Sequence, residues 1–477
     1  MAPDGTKPLT RLGTEAVSAA YAAWAATAGN FSAAAINRAR NAFIDIVACL
    51  IPGAGDDAAV LFRFASRDWG LGPCTVVGSP VTRPAPLAAL ANGISAHALD
   101  FDDNLDPAKA HATAVIVPAL LALGELRAKS GRDVLAAYIV GIEIATRVGQ
   151  GLNPFHRNRG WHATSTVGAI AATAAAGQLI ALDADRMRHA LNMATSFAGG
   201  FMSQFGSMTK PLHAGKAAEA GVVCALLAEA GMTAGSEAFA GPNGMAQLMV
   251  GPDLEDLRRN GFAGEHGQTL RFETSTLGNP LAILAHGLKV KRYPTCASTH
   301  RALDGLLELR ARHDLSASEV ARIDVFAPVT HFNNLMYTDP TTAAEAKFSM
   351  EFCLGLALVT GGVALSDFAP AAIGRPDVRA AMGKVVRHPL DKSETEAPTR
   401  VEVILNSGRL WPISIDAPRG RADNPLTEDD LWQKLRLCCR VVVADEQVQR
   451  IERALHALDS DAPVTNLTAE LRFGTAP

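Results

Sequence analysis

The chain has 477 residues, 48% of them hydrophobic, which is enough to bury a large core and more than one. A formal net charge of −4, with no Lys/Arg block, leaves no electrostatic footprint for nucleic acid, and 6% aromatics offer little for base stacking. Residues 1–11 hold no apolar run of the kind a secretory signal needs, and the longest apolar tract, 167–182, is interrupted by Gln178 and falls short of the ~20 residues of a membrane span.

In chain order, Ala/Leu-rich patterns of helical period predict helices over residues 35–50, 86–99, 115–128, 132–148 and 184–196. Glycines and prolines punctuate them at Pro52-Gly53, at Gly131, within 151–154 and within 241–244. Residues 74–78 are the one short strand-like run of this half, which otherwise reads as all-α. Beyond Leu288 the composition changes. Residues 289–293 and 321–325 are short β-type runs, and a helical pattern lies between them at 299–312. A further helix is predicted over 343–360. Runs at 401–405 and 410–415 flank Asn406-Ser407-Gly408, a hairpin signal. From Thr427 onward the chain is helical again, opening on the acidic turn Glu428-Asp429-Asp430. The expected architecture is therefore mainly α. Residues 1–288 and 422–477 form one large all-α domain, and a smaller α+β lid domain, 289–421, is inserted before the C-terminal helical return.

Cys49, Cys74, Cys224, Cys296, Cys353, Cys438 and Cys439 form no C-x-x-C pair, so neither a structural zinc site nor an iron–sulfur cluster is indicated. Their odd number and scattered spacing fit a reducing cytoplasm.

Three basic groups stand at expected helix starts. In Thr209-Lys210-Pro211-Leu212-His213-Ala214-Gly215-Lys216, Pro211 suits the first helical position, which puts Lys210 at the cap. A cation there opposes the helix dipole unless an anion is bound beside it. His162, in Gly160-Trp161-His162-Ala163-Thr164-Ser165-Thr166, leads into an Ala-rich helix. His300 ends Tyr293-Pro294-Thr295-Cys296-Ala297-Ser298-Thr299-His300, with Ser298 or Thr299 as its cap. Together they describe a pocket for a multiply charged anion. The acidic counterpart is His97-Ala98-Leu99-Asp100-Phe101-Asp102-Asp103-Asn104, in which helical spacing puts His97, Asp100 and Asn104 on one face. A solvated helix end and a magnesium site are the competing readings of these carboxylates. His111 follows shortly after, and an imidazole near such a carboxylate serves as acid or base around neutral pH.

These blocks, in this order and together with Lys291-Arg292-Tyr293-Pro294, resemble the MmgE/PrpD family over nearly the whole chain. Such enzymes dehydrate 2-methylcitrate, decarboxylate cis-aconitate or epimerise iminodisuccinate. The resemblance implies a helical domain with an α+β lid, a homodimer, and no metal or organic cofactor. Carried over by position, it implies a site of Asp100, His111, His162, Lys210 and Lys291, with His300 in the lid motif. Two departures stand out: Asn104 replaces a threonine of the decarboxylases, and Cys296 replaces a histidine. The spacing from Asp100 to His111 is also one residue longer.

The reading is a lyase that moves a proton next to a carboxylate of a small di- or tricarboxylate. Lys210 and Lys291 are then anion clamps, His111 and His162 proton-transfer groups, and Asp100 the orienter of a histidine, with Lys210 an alternative base. Asn104 and Cys296 are substrate-lining positions. The rivals are an epimerase using the same residues, and a non-catalytic helical dimer that only binds a carboxylate. Neither a nucleic-acid nor a membrane partner is expected. The Ala-rich stretches 163–182 and 214–230 are the expected dimer contact.

Overall fold

A computed structural model describes residues 16–391 and 397–474, so the leader reading of 1–11 lies outside the described residues. The first half is helical, as its periodicity requires. Its long helices are α1 (Val17–Thr27), α2 (Ala33–Gly53), α3 (Asp57–Ala65), α4 (Ala85–His97), α5 (Thr113–Leu126), α6 (Gly131–Leu152), α7 (Ala163–Leu179), α8 (Ala184–Ala194) and α9 (Thr209–Glu229). Their starts are chemically marked. Ser32 caps α2 by accepting from Ala35 N, and Ser130 with Asp133 forms a reciprocal capping box on α6.

Small residues let these helices touch backbone to backbone. A Cβ added at Gly93 of α4 would lie 2.7 Å from Gly215 Cα on α9, and one at Gly221 would lie 2.5 Å from Ala172 Cβ on α7. Of the Ala-rich stretches, α7 is buried along nearly its whole length, and α9 buries Ala214, Ala217, Ala218 and Gly221 within the chain.

The second half carries α10 (His300–His313), β1 (Val320–Pro328), α11 (Met350–Thr360), β2 (Val385–Leu390), β3 (Thr399–Leu405) and β4 (Leu410–Ile415). The sheet order is β2-β1-β3-β4, with β1 parallel to β2 and the other pairs antiparallel. The hairpin over Asn406-Ser407-Gly408 is present, and Gly408 supplies its positive φ of 85°. Strand β2 carries the interrupting His388-Pro389 and sits at the sheet edge, where proline is tolerated.

Three expected elements differ. The helix over 343–360 is broken into Ala343–Ala346 and α11, because Ser349 turns to cap Phe352 N. Residues 289–293 make no strand: Lys289 forms a single bridge with Asn104, and Val290 N donates to Gly420 O. Residues 74–78 likewise make one bridge, Cys74 with Arg83, since Thr75 N donates to the Glu125 carboxylate and Val77 N to Asn92 Oδ1. Side chains satisfy donors that a neighbouring strand would otherwise serve.

The apolar side chains gather into one large core spanning the helices of the first half and a second built on α10, α11 and the sheet. The C-terminal helices α12 (Glu428–Cys439) and α13 (Asp445–His456) return to the first core through Leu431, Leu435, Ile451 and Leu455. Thr427 and Asp430 cap α12 reciprocally. All seven cysteines are free, and no described helix is long and apolar enough to cross a membrane.

Candidate active site

Helix α4 stops at His97, and the chain then reverses through Asp100, whose φ of 53° lies in the left-handed region. His97, Asp100 and Asn104 therefore do not share a helical face. The turn aims each acidic side chain at a different partner. Asp100 Oδ1 lies 2.8 Å from Lys210 Nζ and 3.1 Å from Lys291 Nζ. Asp102, fully buried, meets His97 Nδ1 at 3.0 Å and His111 Nδ1 at 3.0 Å, the latter contact too oblique for a hydrogen bond. Asp103 accepts from Thr113 Oγ1 at 2.6 Å.

These partners set the charges. Burial works to raise the Asp100 carboxyl, but the two ammonium groups overcome it and hold the pKa well below the usual carboxylate range. Burial also opposes ionisation of Asp102, and His97 and His111 outweigh it, so its pKa too lies well below the usual range. Asp103 differs: burial, then the neighbouring Asp45 carboxylate, push its pKa well up, and the Thr113 hydrogen bond and Lys434 offset this only in part. Lys291 is lowered by burial but raised more by Asp100, and stays an ammonium.

Lys210 is the second residue of α9, not its cap, and Pro211 is the third, where a missing N–H still costs no helical bond. His162 is the backbone N-cap of α7; its N–H donates to Gly200 O, and its ring makes no cap bond. Burial, followed by His97 and Lys210, pushes the pKa of His162 far down, so it is a neutral imidazole.

Between the two cores lies a cavity of about 380 Å³. Asn104, His111, His162 and Lys210 line it. Asp100 and Lys291 stand behind Lys210 and do not line it; Cys296 and His300 do not either, although the neighbouring Ala297 and Ser298 do. His300 is buried with its ring edge-to-face on Tyr293, and burial, followed by Lys291, lowers its pKa to about 3. The expected role of Asp100 as orienter also shifts. Its nearest approach to His111 is 3.8 Å, whereas Asp102 is within 3.0 Å of two histidines.

Residues that the sequence reading passed over complete the cavity. Lys109, Arg157, Lys289, Arg301 and Arg421 join Lys210 on its wall, against the single carboxylate Asp106. Only the fold gathers them, since they come from five separate segments. His213 lies behind His162, Nδ1 to Nδ1 at 3.0 Å. It stands in the block that carries Lys210, which was the only signal for it.

His97, Asp100, Asp102 and His111 each offer a donor atom within 4.8 Å of the others. A divalent ion there would have to compete with two ammonium groups already on Asp100, so the set suits proton handling better than metal binding.

Comparison of the sequence with known proteins shows the family of this chain. The MmgE/PrpD N-terminal domain matches residues 18–257, and the MmgE/PrpD C-terminal domain matches residues 293–460. The chain belongs to the MmgE/PrpD family. It is 29% identical to a human cis-aconitate decarboxylase, covering 84% of this chain and 83% of that protein. It is 28% identical to the cis-aconitate decarboxylase-like protein oryM of Aspergillus oryzae, over 91% and 92% of the two chains. An Aspergillus terreus cis-aconitate decarboxylase is 25% identical over 89% of each.

Proposed function

We propose that this MmgE/PrpD member is a carboxy-lyase that removes CO₂ from a small tricarboxylate of the cis-aconitate class, using its own side chains as acid and base. The observation that carries the reading is the cavity wall: six lysine and arginine side chains against one carboxylate, with His111 and His162 beside them. Such a surface holds a polyanion and stabilises charge that develops on its carboxylate oxygens. The names of the relatives agree with it.

In this mechanism Lys210 and the arginines hold the carboxylates that remain. The bond to the departing carboxylate breaks, CO₂ leaves, and the electron pair spreads into a neighbouring carboxylate through the double bond. His162, neutral and facing the cavity, returns one proton to carbon. His111, bracketed by Asp100 and Asp102, is the second proton-transfer group. Asp100 and Lys291 keep the Lys210 ammonium in place. Residues 289–421 act as a lid, whose closure brings Lys289, Arg301 and Arg421 onto the substrate and excludes water.

Citrate, 2-methylcitrate, cis-aconitate and iminodisuccinate, each followed by NMR in D₂O, test the reading. CO₂ loss with one deuterium gained is expected from cis-aconitate. Water loss alone would reassign the chain to a dehydratase, and deuterium uptake without net loss to an epimerase.

The protein is further proposed to be a homodimer. The exposed Val60, Leu61, Phe64 and Trp69, clustered on and just after α3, are one apolar group open to such a contact. Light scattering should give twice the chain mass of 50.0 kDa; a value equal to it removes the dimer.

A further inference from the structure

His213 lies one helical turn beyond Lys210 on α9, on the same face. It is not part of the cavity wall, but its Nδ1 sits 3.0 Å from Nδ1 of His162. The approach is made possible by Gly200: a Cβ there would lie 2.9 Å from the Ser165 side chain and 3.3 Å from the His213 ring. Gly200 O also accepts from His162 N, so one residue fixes the backbone of the first ring and makes room for the second.

Two imidazoles that meet Nδ1 to Nδ1 can bond only if one nitrogen carries hydrogen and the other a lone pair. Hydrogen on His213 Nδ1 forces the proton of neutral His162 onto Nε2, which then faces the cavity as a donor. Hydrogen on His162 Nδ1 leaves its Nε2 bare, as an acceptor. The shared hydrogen therefore decides whether His162 is an acid or a base. His213 Nε2 has no partner among the described residues, and the residue is only half-buried, so its outer nitrogen is open to exchange with water. Burial lowers the pKa of both rings, which agrees with a neutral pair.

We propose that His213 is the positioning residue of His162 and its proton relay to solvent. The inference rests on reading the cavity as a proton-transferring lyase site. In the delivery step the Nε2–H bond of His162 breaks, and its proton joins the carbon that received the electron pair when CO₂ left. The Nδ1–H of His213 passes to Nδ1 of His162, and a hydronium or buffer acid protonates Nε2 of His213. Both rings begin and end neutral, and the carbon gains the one proton that solvent loses. Reverse transfer after product release restores the first tautomer.

The test combines NMR of ¹⁵N-histidine-labelled, ligand-free protein with kinetics of His213→Ala and His213→Asn. An asparagine amide keeps a donor to His162 Nδ1 but cannot pass a proton on. The expected spectrum shows His162 as the Nε2–H tautomer with Nδ1 hydrogen-bonded, retained in His213→Asn and lost in His213→Ala. Both variants are expected to lose roughly 10²-fold in kcat with KM little changed, and added imidazole should restore part of the His213→Ala rate. Unchanged kcat, or a KM rise that accounts for the whole loss without imidazole rescue, would overturn the proposal. If either variant fails to fold, the wild-type spectrum decides, and a His162 Nδ1 with no hydrogen-bonded partner overturns it. A wild-type protein inactive on every polycarboxylate would defeat the lyase reading instead, leaving the tautomer pair to be judged by NMR.

Discussion

Lys210 shows how a local rule and a tertiary contact combine. A cation in the first turn of a helix is unfavourable by itself, and its removal from an isolated helix would be stabilising by a few tenths of a kcal/mol. Here the ammonium is 2.8 Å from Asp100, whose charge it shares with Lys291. Lys210→Met should therefore leave Asp100 paired with Lys291 and give no rise in melting temperature. With a carboxylate contact gone, KM should rise by about 10-fold or more. Saturation kinetics and a thermal melt check both; an unchanged KM, or a clear rise in melting temperature, would show that Lys210 does not hold substrate. The residues of this site were legible as types but not as contacts. His97, Asp100 and Asp102 stand close together in sequence, yet the left-handed turn at Asp100 decides that one carboxylate takes lysines and another takes histidines. Nothing in the residue order announces that turn, because a non-glycine positive φ is set by what surrounds it.

At the level of elements, the alanine- and glycine-rich helices were legible because period and small residues are local properties. The helices read at 35–50 and 132–148 appear as Ala33–Gly53 and Gly131–Leu152, with starts where serine and the capping box put them. What the small residues pack against was not legible, since close approach serves a dimer seam and an internal crossing equally well. The crossing of α4 and α9 is internal and it sets the site: α4 ends in His97, and α9 begins with Lys210 and His213. Gly215→Ala would put a Cβ 2.4 Å from Leu90 O, a backbone atom that cannot step aside. The helices must separate, at an expected cost of about 1–3 kcal/mol. Lys210 then moves away from Asp100, and kcat/KM should fall with stability. Denaturant melts and kinetics on the same preparation check this; wild-type values of both would mean that the crossing does not position the site. The broken helix at Ser349 and the strand β2 were missed for opposite reasons. One residue's capping choice ended a good helical pattern, and an edge position rescued a poor strand.

Across the whole molecule, the two-core division is visible in the sequence as the change of composition after Leu288. The return of α12 and α13 to the first core is visible only as a helical pattern with nowhere else to pack. The buried histidines have a global consequence. His97, His156, His162 and His300 are each at most 4% exposed. Burial is the leading cause that lowers all four, His97 to about 4 and His156 and His300 to about 3. In the unfolded chain they return to about 6.5. Between roughly pH 6.5 and pH 4 the unfolded state therefore binds protons that the folded state does not, and stability falls as pH falls. Each such histidine contributes a slope of about 1.4 kcal/mol per pH unit in that window. His156 bonds Thr166 Oγ1 at 2.8 Å and does not line the cavity, so His156→Gln removes one titrating group without removing a cavity-lining side chain. Its melting temperature should drop less than that of the wild type between pH 7 and pH 5; equal drops would contradict the assignment.

The proposed reaction turns on His162 returning a proton to carbon at a cavity that holds a tricarboxylate. The most direct measurement is CO₂ release from cis-aconitate in D₂O by the wild type and by His162→Gln, with substrate affinity of the variant measured by calorimetry. The wild type should release CO₂ and place one deuterium in the product. The variant should bind the same substrate while turnover falls by roughly 10²–10⁴-fold. Equal turnover by the two proteins, or no CO₂ from the wild type, would contradict it.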